Sequence, residues 1–267
     1  MTTIAFALTD STTMLRRNLR RLLRYPSMTL MLVGMPIVFL LLFVYVFGGQ
    51  LSEGLSTGLA GGHDGRAGYL NYVTPGILLM TIAAAVQGTA IVVAMDMTSG
   101  LADRFRTMAI ARVAVLTGHV LASFIQTMLS IGIVVGVAIG LGWRPTAEPL
   151  RWLAAIGVLA LFAFALIWLA VALGLAAKSV ETASNTPMFL TLLPFLGSGF
   201  VPSGSMPAGL RHFAKYQPFT SVTETLRGLL GETEIGSNAL GAVAWSVGIA
   251  AVSFIWARHL YQHRQPN

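Results

Sequence analysis

Six stretches of this chain, residues 28–47, 72–95, 113–141, 152–177, 182–201 and 239–257, contain no Asp, Glu, Lys or Arg. A helix of about 20 residues spans about 30 Å, the thickness of a bilayer's hydrocarbon core. Inside that core every backbone N–H and C=O must be satisfied within the protein, and runs this long exceed the strands of a barrel, so they specify helices. Composition agrees: 10% of the 267 residues are charged and mean hydropathy is +0.74, where soluble domains carry about 25% charged residues. The expected fold class is an all-α polytopic membrane protein, with residues 1–267 forming a single transmembrane domain of six transmembrane helices. The absence of cysteine removes disulfides, thiolate chemistry and cysteine-bound metals.

The segments between the spans have their own character. Residues 9–24 read as an amphipathic helix lying in the interface, with Leu15, Leu19, Leu22 and Leu23 on one side and Arg16, Arg17, Arg20, Arg21 and Arg24 on the other. Each arginine contributes about 1 kcal/mol near an anionic leaflet, which makes membrane lipids the expected partner of this arm and not nucleic acid. Residues 48–71 are rich in Gly and Ser and read as a loop in which His63 and Asp64 are solvated. Asp96 closes the second span, and residues 99–112 then form a short charged helix at the membrane surface, with Asp103 near its start and Arg104, Arg106 and Arg112 behind it.

Gly132, Gly136 and Gly140 fall four apart in the third span, a strip where another backbone can approach, from this chain or from a second copy. The turn 142–151 places Trp143 at the headgroup level. Pro187 and Pro194 bend the fifth span. Residues 202–238 alternate helix breakers with two amphipathic pieces, 210–216 and 220–230, each too short to cross; they read as a re-entrant helical hairpin shielded by neighbouring protein. A short basic tail, 258–267, follows the sixth span.

Six spans put both termini on one side. The arm, the segment after the second span, the turn after the fourth and the tail hold eleven Lys or Arg against four acids, and the other loops six against six. The whole net charge of +7 therefore lies on one face, which the positive-inside rule makes cytoplasmic. Both termini and residues 99–112 are expected in the cytoplasm, and residues 202–238 outside, in a multi-pass protein of the plasma membrane, with a composition typical of bacteria.

No charged residue in the spans supports proton or ion coupling; His119, Gln87, Gln126 and Asn185 read as interhelical hydrogen-bonders. A nucleotide site is not visible either. Lys178 and Ser179 end like a phosphate loop, but alanines, Ala172 and Ala177, stand where both glycines belong. His259 and His263 lie one helical turn apart without a third ligand nearby, so no metal is assigned. With no nucleophile and base in view, a membrane enzyme or a scaffold without transport is the alternative to a transporter driven from outside the chain.

Residues 103–112, Asp-Arg-Phe-Arg-Thr-Met-Ala-Ile-Ala-Arg, and Gly118-His119 beyond them resemble the segment after the second span in ABC-2 type permeases of the daunorubicin-resistance class. Ala109 stands where proline is usual there, and His119 where arginine is usual. Phe200-Val201-Pro202, Met206-Pro207, Leu210, Gln217-Pro218, Glu224 and Arg227 resemble that family's signature before the last span, with Gln217 in place of asparagine. The resemblance implies a permease subunit of an ATP-binding-cassette exporter that moves a hydrophobic or amphipathic substrate, such as a drug, antibiotic, lipid or lipid-linked product, out of the cell. It implies a second permease subunit, identical or homologous, and two copies of a cytoplasmic ATPase that binds the ATP and Mg; this chain itself would hold no cofactor. By the same resemblance, residues 99–112 would be a coupling helix touching the ATPase through Asp103, Arg104, Phe105, Arg106, Met108 and Ile110, with the N-terminal helix beside it. Pro202, Met206, Pro207, Pro218, Glu224 and Arg227 would form the re-entrant motif.

Overall fold

The structure, a computed structural model, describes residues 26–48, 65–98, 112–231 and 235–263. The N-terminal helix 9–24, with its five arginines, lies outside the described residues. So does the expected coupling helix, apart from Arg112, which opens the next helix.

Nine α-helices carry the described chain: α1 Pro26–Leu41, α2 Gly65–Thr98, α3 Arg112–Gly140, α4 Pro149–Ala176, α5 Val180–Asn185, α6 Met188–Leu192, α7 Ala208–Tyr216, α8 Pro218–Leu230 and α9 Asn238–His263. No strand occurs among the described residues. Among the described residues, four helices are long and apolar enough to cross a membrane: Ala67–Thr98, Leu116–Gly140, Pro149–Ala176 and Asn238–Gln262. A shorter apolar helix, Leu32–Phe47, joins them.

α4 is the hub. Pro149 opens it at a position where the missing N–H costs nothing, and its apolar length packs against α9, α2, α8 and α3. Phe162, Ala163, Leu166, Ala170 and Val171 are fully enclosed there. Gly174 lets α4 touch α2, since a Cβ at that position would sit 2.7 Å from the Ala90 carbonyl oxygen. By contrast α9 turns much of its apolar surface outward, with Leu240 77% and Val252 67% exposed, as lipid or another subunit requires.

Several boundaries differ from the sequence reading. The loop expected over 48–71 ends early: α2 already begins at Gly65 and runs 34 residues, about 51 Å at 1.5 Å per residue. At its other end it continues past the expected close at Asp96 to Thr98, so Asp96 lies inside the helix and is 8% exposed. The tail is not frayed at Arg258, because α9 carries on to His263. Trp143 is buried instead of facing the headgroups. Gly142, at φ +103°, caps α3 with Trp143 N–H bonded to Ala138 O at 2.9 Å, and the turn folds the indole against Trp152.

The largest departure is the expected fifth span, 182–201. Pro187 and Pro194 do more than bend it: α5 and α6 are short, and residues 193–200 run as successive turns. The first apolar helix is irregular too, passing from α1 into a π-helical turn over Leu42–Phe47. The two irregular pieces pack on each other. Phe43 stacks on Phe200 with centroids 4.7 Å apart, Phe195 stacks on Phe200 at 4.6 Å, and Phe39 meets Phe195 edge-on.

Candidate functional site

Residues 193–200 present a physical problem, because turns in the interior of an apolar bundle leave backbone carbonyls without helical partners. Arg227 on α8 supplies most of the answer. Its Nη2 donates to Ser198 O at 2.7 Å and Gly199 O at 3.1 Å, and also to Tyr72 O on α2 at 2.9 Å. Its Nε donates to Tyr72 O at 3.1 Å, and Nη1 to Glu224 Oε1 at 2.8 Å. The guanidinium carbon lies 3.6 Å from the centre of the Tyr72 ring, a cation–π contact, and the Tyr72 hydroxyl donates to Ser198 O at 3.1 Å. Arg227 is thus a rivet joining α2, α8 and the turn segment.

Sequence explains why these groups meet. Pro75 has no N–H for the carbonyl four residues earlier and its ring displaces the turn before it, which contains Tyr72. Gly76 then permits backbone contact, since a Cβ there would lie 2.5 Å from Gly199 O. Pro218 starts α8, and the three-residue spacing of Glu224 and Arg227 puts both on one side of it. The Arg227 side chain is 9% exposed and that of Glu224 34%, so the carboxylate orients the guanidinium from the wet edge. A second tie comes from Gln217, whose Nε2 donates to Leu193 O at 3.1 Å, and from Thr220, whose Oγ1 accepts from Ser198 N at 3.3 Å.

The re-entrant motif is therefore brought together in part. Glu224 and Arg227 are in the rivet, Pro218 sets the start of α8, and Pro202 and Pro207 flank a 3₁₀ turn whose end, Met206, is buried. The two halves of the hairpin are unequal. α8 is almost wholly enclosed, whereas α7 is exposed along its length except at Ala214. Tyr72, Gly76, Ser198 and Gly199 escaped the sequence reading; the Gly197-Ser198-Gly199 run between two prolines was the available signal.

Elsewhere the outcome is mixed. Asp103, Arg104, Phe105, Arg106, Met108 and Ile110 lie outside the described residues, as do Arg16, Arg17, Arg20, Arg21 and Arg24. Gly132, Gly136 and Gly140 are exposed, and a Cβ on any of them would meet nothing within 4 Å, so no helix among the described residues uses the strip. Gln87 is an interhelical hydrogen-bonder as expected, donating to Ser184 O at 3.0 Å. His119 is buried with its Nε2 3.3 Å from Asp96 Oδ2, a close electrostatic contact not aligned as a hydrogen bond. Among the described residues no three His, Asp or Glu side chains are grouped to hold a metal ion.

Comparison with known proteins gives these features a family. The model of the ABC-2 type transporter family matches residues 9–230, which include the rivet and both segments singled out in the sequence. The chain is 27% identical over 98% of its length to the daunorubicin resistance ABC transporter permease protein DrrB1 of Streptomyces coeruleorubidus, covering 89% of that protein. It is 24% identical over 65% of its length to a Mycobacterium tuberculosis protein named as a probable doxorubicin resistance ABC transporter permease, covering 64% of it. This chain belongs to the ABC-2 type transporter family of membrane permeases, whose transport is driven by an ATP-binding subunit.

Proposed function

We propose that this chain is the permease subunit of an exporter that moves a hydrophobic or amphipathic compound, of the drug, antibiotic or lipid-linked class, out of a bacterial cell. The observation that carries the reading is its similarity, over 98% of its length, to a protein named for daunorubicin resistance. Apolar surfaces suited to such a cargo lie on α1 and the π-helical turn after it, where Val38 and Val46 are exposed, and on α6, where Phe189 is 76% exposed.

In this reading the chain crosses the membrane six times, with the broken segment 182–201 as the fifth crossing and both termini in the cytoplasm. It works with a second permease, identical or homologous, and two copies of a separate ATPase that binds ATP and Mg. Asp103, Arg104, Phe105, Arg106, Met108 and Ile110 contact that ATPase, with Phe105 as the buried anchor and the charges as an orienting rim. Closure of the ATPase on ATP presses on residues 99–112 and rocks one permease against the other, opening a path between them.

The test is co-expression with the neighbouring reading frames. The chain is expected to co-purify with a phosphate-loop ATPase and, in vesicles, to move daunorubicin only when ATP is supplied. Failure to bring down any such ATPase refutes the exporter reading. Phe105→Ala combined with Arg104→Ala is expected to weaken that assembly and the cargo stimulation of ATP hydrolysis; unchanged assembly and stimulation refute the contact assignment.

A further inference from the structure

We propose that α7 is an interfacial helix that binds anionic phospholipid, with its apolar side in the acyl chains and its cations at the headgroup phosphates. The helix is exposed along its length except at Ala214, so its sides can be compared directly. At 3.6 residues per turn, Leu210, Phe213 and Tyr216 share an arc of about 120°, and Arg211, His212 and Lys215 a separate arc of about 100°. The three apolar side chains are 37%, 47% and 58% exposed, and on water they would be costly. Ala214 falls on the seam between the two arcs. The protein therefore holds α7 along that seam and leaves the apolar arc to one side and the cationic arc to the other.

The position suits a membrane surface. Gly241, three residues after the start of α9, faces the first turn of α8, since a Cβ on it would lie 3.2 Å from Ser221 Oγ. The corner at Gln217, where α7 passes into α8, thus lies beside the beginning of the span Asn238–Gln262. α7 has 9 residues, too few to cross or to be stable alone, and its orientation is fixed from its own start: Arg211 donates to Met206 O from Nε at 3.2 Å and from Nη2 at 3.0 Å. Tyr216, an aromatic with a polar tip, has the chemistry of the headgroup level.

Charge selects the occupant. No Asp or Glu among the described residues pairs with Arg211, His212 or Lys215; the Lys215 ammonium lies 5.8 Å from the centre of the Tyr216 ring, and the His212 ring 4.9 Å from it. Exposed cations beside exposed apolar side chains match a phosphate above an acyl chain. A second copy seated symmetrically on this face would instead set Arg211 and Lys215 against their own kind.

The chain has no cysteine, so a single cysteine can carry a fluorophore at Phe213 or at His212. The full chain is reconstituted in phosphatidylcholine vesicles containing phosphatidylglycerol, and either lipid is brominated on its acyl chains at equal mole fraction. The Phe213 label is expected to be quenched and the His212 label spared. Brominated phosphatidylglycerol is expected to quench the Phe213 label about threefold more than brominated phosphatidylcholine. Lys215→Gln is expected to lower that ratio by about half, Lys215→Arg to keep it, and about 1 M salt, with a screening length of about 3 Å, to lower it as Lys215→Gln does.

Equal quenching by the two lipids, or a ratio untouched by Lys215→Gln, overturns the proposal. Absence of quenching at Phe213 also overturns it, and means that protein covers the apolar arc. Both leaflets carry the same lipids and no ATPase is needed, so these outcomes leave the exporter reading where it stands, and loss of that reading leaves the lipid contact of α7 unaffected.

Discussion

Tyr72 and Asp96 stand on the same helix, 24 residues and about 36 Å apart, and each anchors a polar site in an otherwise apolar bundle. The two sites are built differently. At the Tyr72 end a guanidinium makes six polar contacts, four of them to three backbone oxygens of irregular or proline-disturbed chain, and its charge is permanent. At the Asp96 end a carboxylate oxygen lies 3.3 Å from the Nε2 of His119, and no irregular backbone is involved. The first arrangement holds together chain that cannot satisfy itself, and it is rigid because several bonds must break at the same time. The second lies between two regular helices that satisfy their own backbones, so its polar groups are not needed to hold irregular chain together.

The largest expected effect comes from removing the rivet. Arg227→Ala takes the donor from Gly199 O and the shorter of two donors from Ser198 O, which keeps the Tyr72 hydroxyl, and leaves Glu224 without its partner, a loss of about 3–5 kcal/mol. The measurement is the yield of monodisperse protein and its unfolding temperature in detergent. Arg227→Lys is expected to recover only a minor part, because an ammonium cannot present the planar fork that reaches three carbonyls and the carboxylate together. If lysine restores full stability, the site is a simple ion pair and the contrast with the Asp96 end disappears.

Gly76→Ala attacks the same end by shape alone. Its Cβ would stand 2.5 Å from Gly199 O, with backbone on both sides and no flexible side chain to yield, so a destabilisation of about 1–3 kcal/mol is expected. Unfolding midpoints compared with Gly88→Ala provide the control, since a Cβ at Gly88 meets nothing within 4 Å. Equal midpoints for the two variants would mean that the backbones are not in contact.

The long helices were legible because uncharged runs have few other ways to exist, and α3, α4 and α9 begin within three residues of the expected positions. The start of α2 was not, since Gly65, Gly68 and Arg66 carry a loop's composition and are held helical by what packs on Tyr69 and Leu70, both 1% exposed. Hydropathy also could not separate a bent helix from the turns of 193–200, where the two prolines decide the outcome. Glu224 and Arg227 were marked by resemblance, but the main partner of Arg227, Tyr72, lies 155 residues away and no local pattern joins them. His119 was visible as a polar residue in a span; its approach to Asp96 was not, because Asp96 was placed at the end of the second span and nothing local pairs two residues 23 positions apart.

A smaller effect is expected from Gln217→Asn, which shortens the side chain that reaches Leu193 O at 3.1 Å. Losing that bond costs about 1 kcal/mol. The unfolding midpoint should fall less than for Gly76→Ala, and combination with Arg227→Lys should be non-additive because both residues hold residues 193–199. Additive shifts would show two independent ties and make the Tyr72 end less of a unit than the geometry implies.

The smallest effect has the opposite sign. Gly136 lies on an exposed strip of α3 whose Cβ positions are open, so Gly136→Ala removes the backbone freedom of a mid-helix glycine without creating a clash within the chain. The isolated subunit is expected to gain about 0.5–1 kcal/mol, seen as a small rise in its unfolding midpoint in detergent. The same substitution in the assembled complex tells whether the strip faces lipid or protein: lipid accommodates a methyl and keeps the gain, whereas a helix seated on the strip is pushed away and the complex becomes less stable. A fall in the isolated subunit would mean that another part of this chain sits against Gly136, where the described helices leave the α3 strip open.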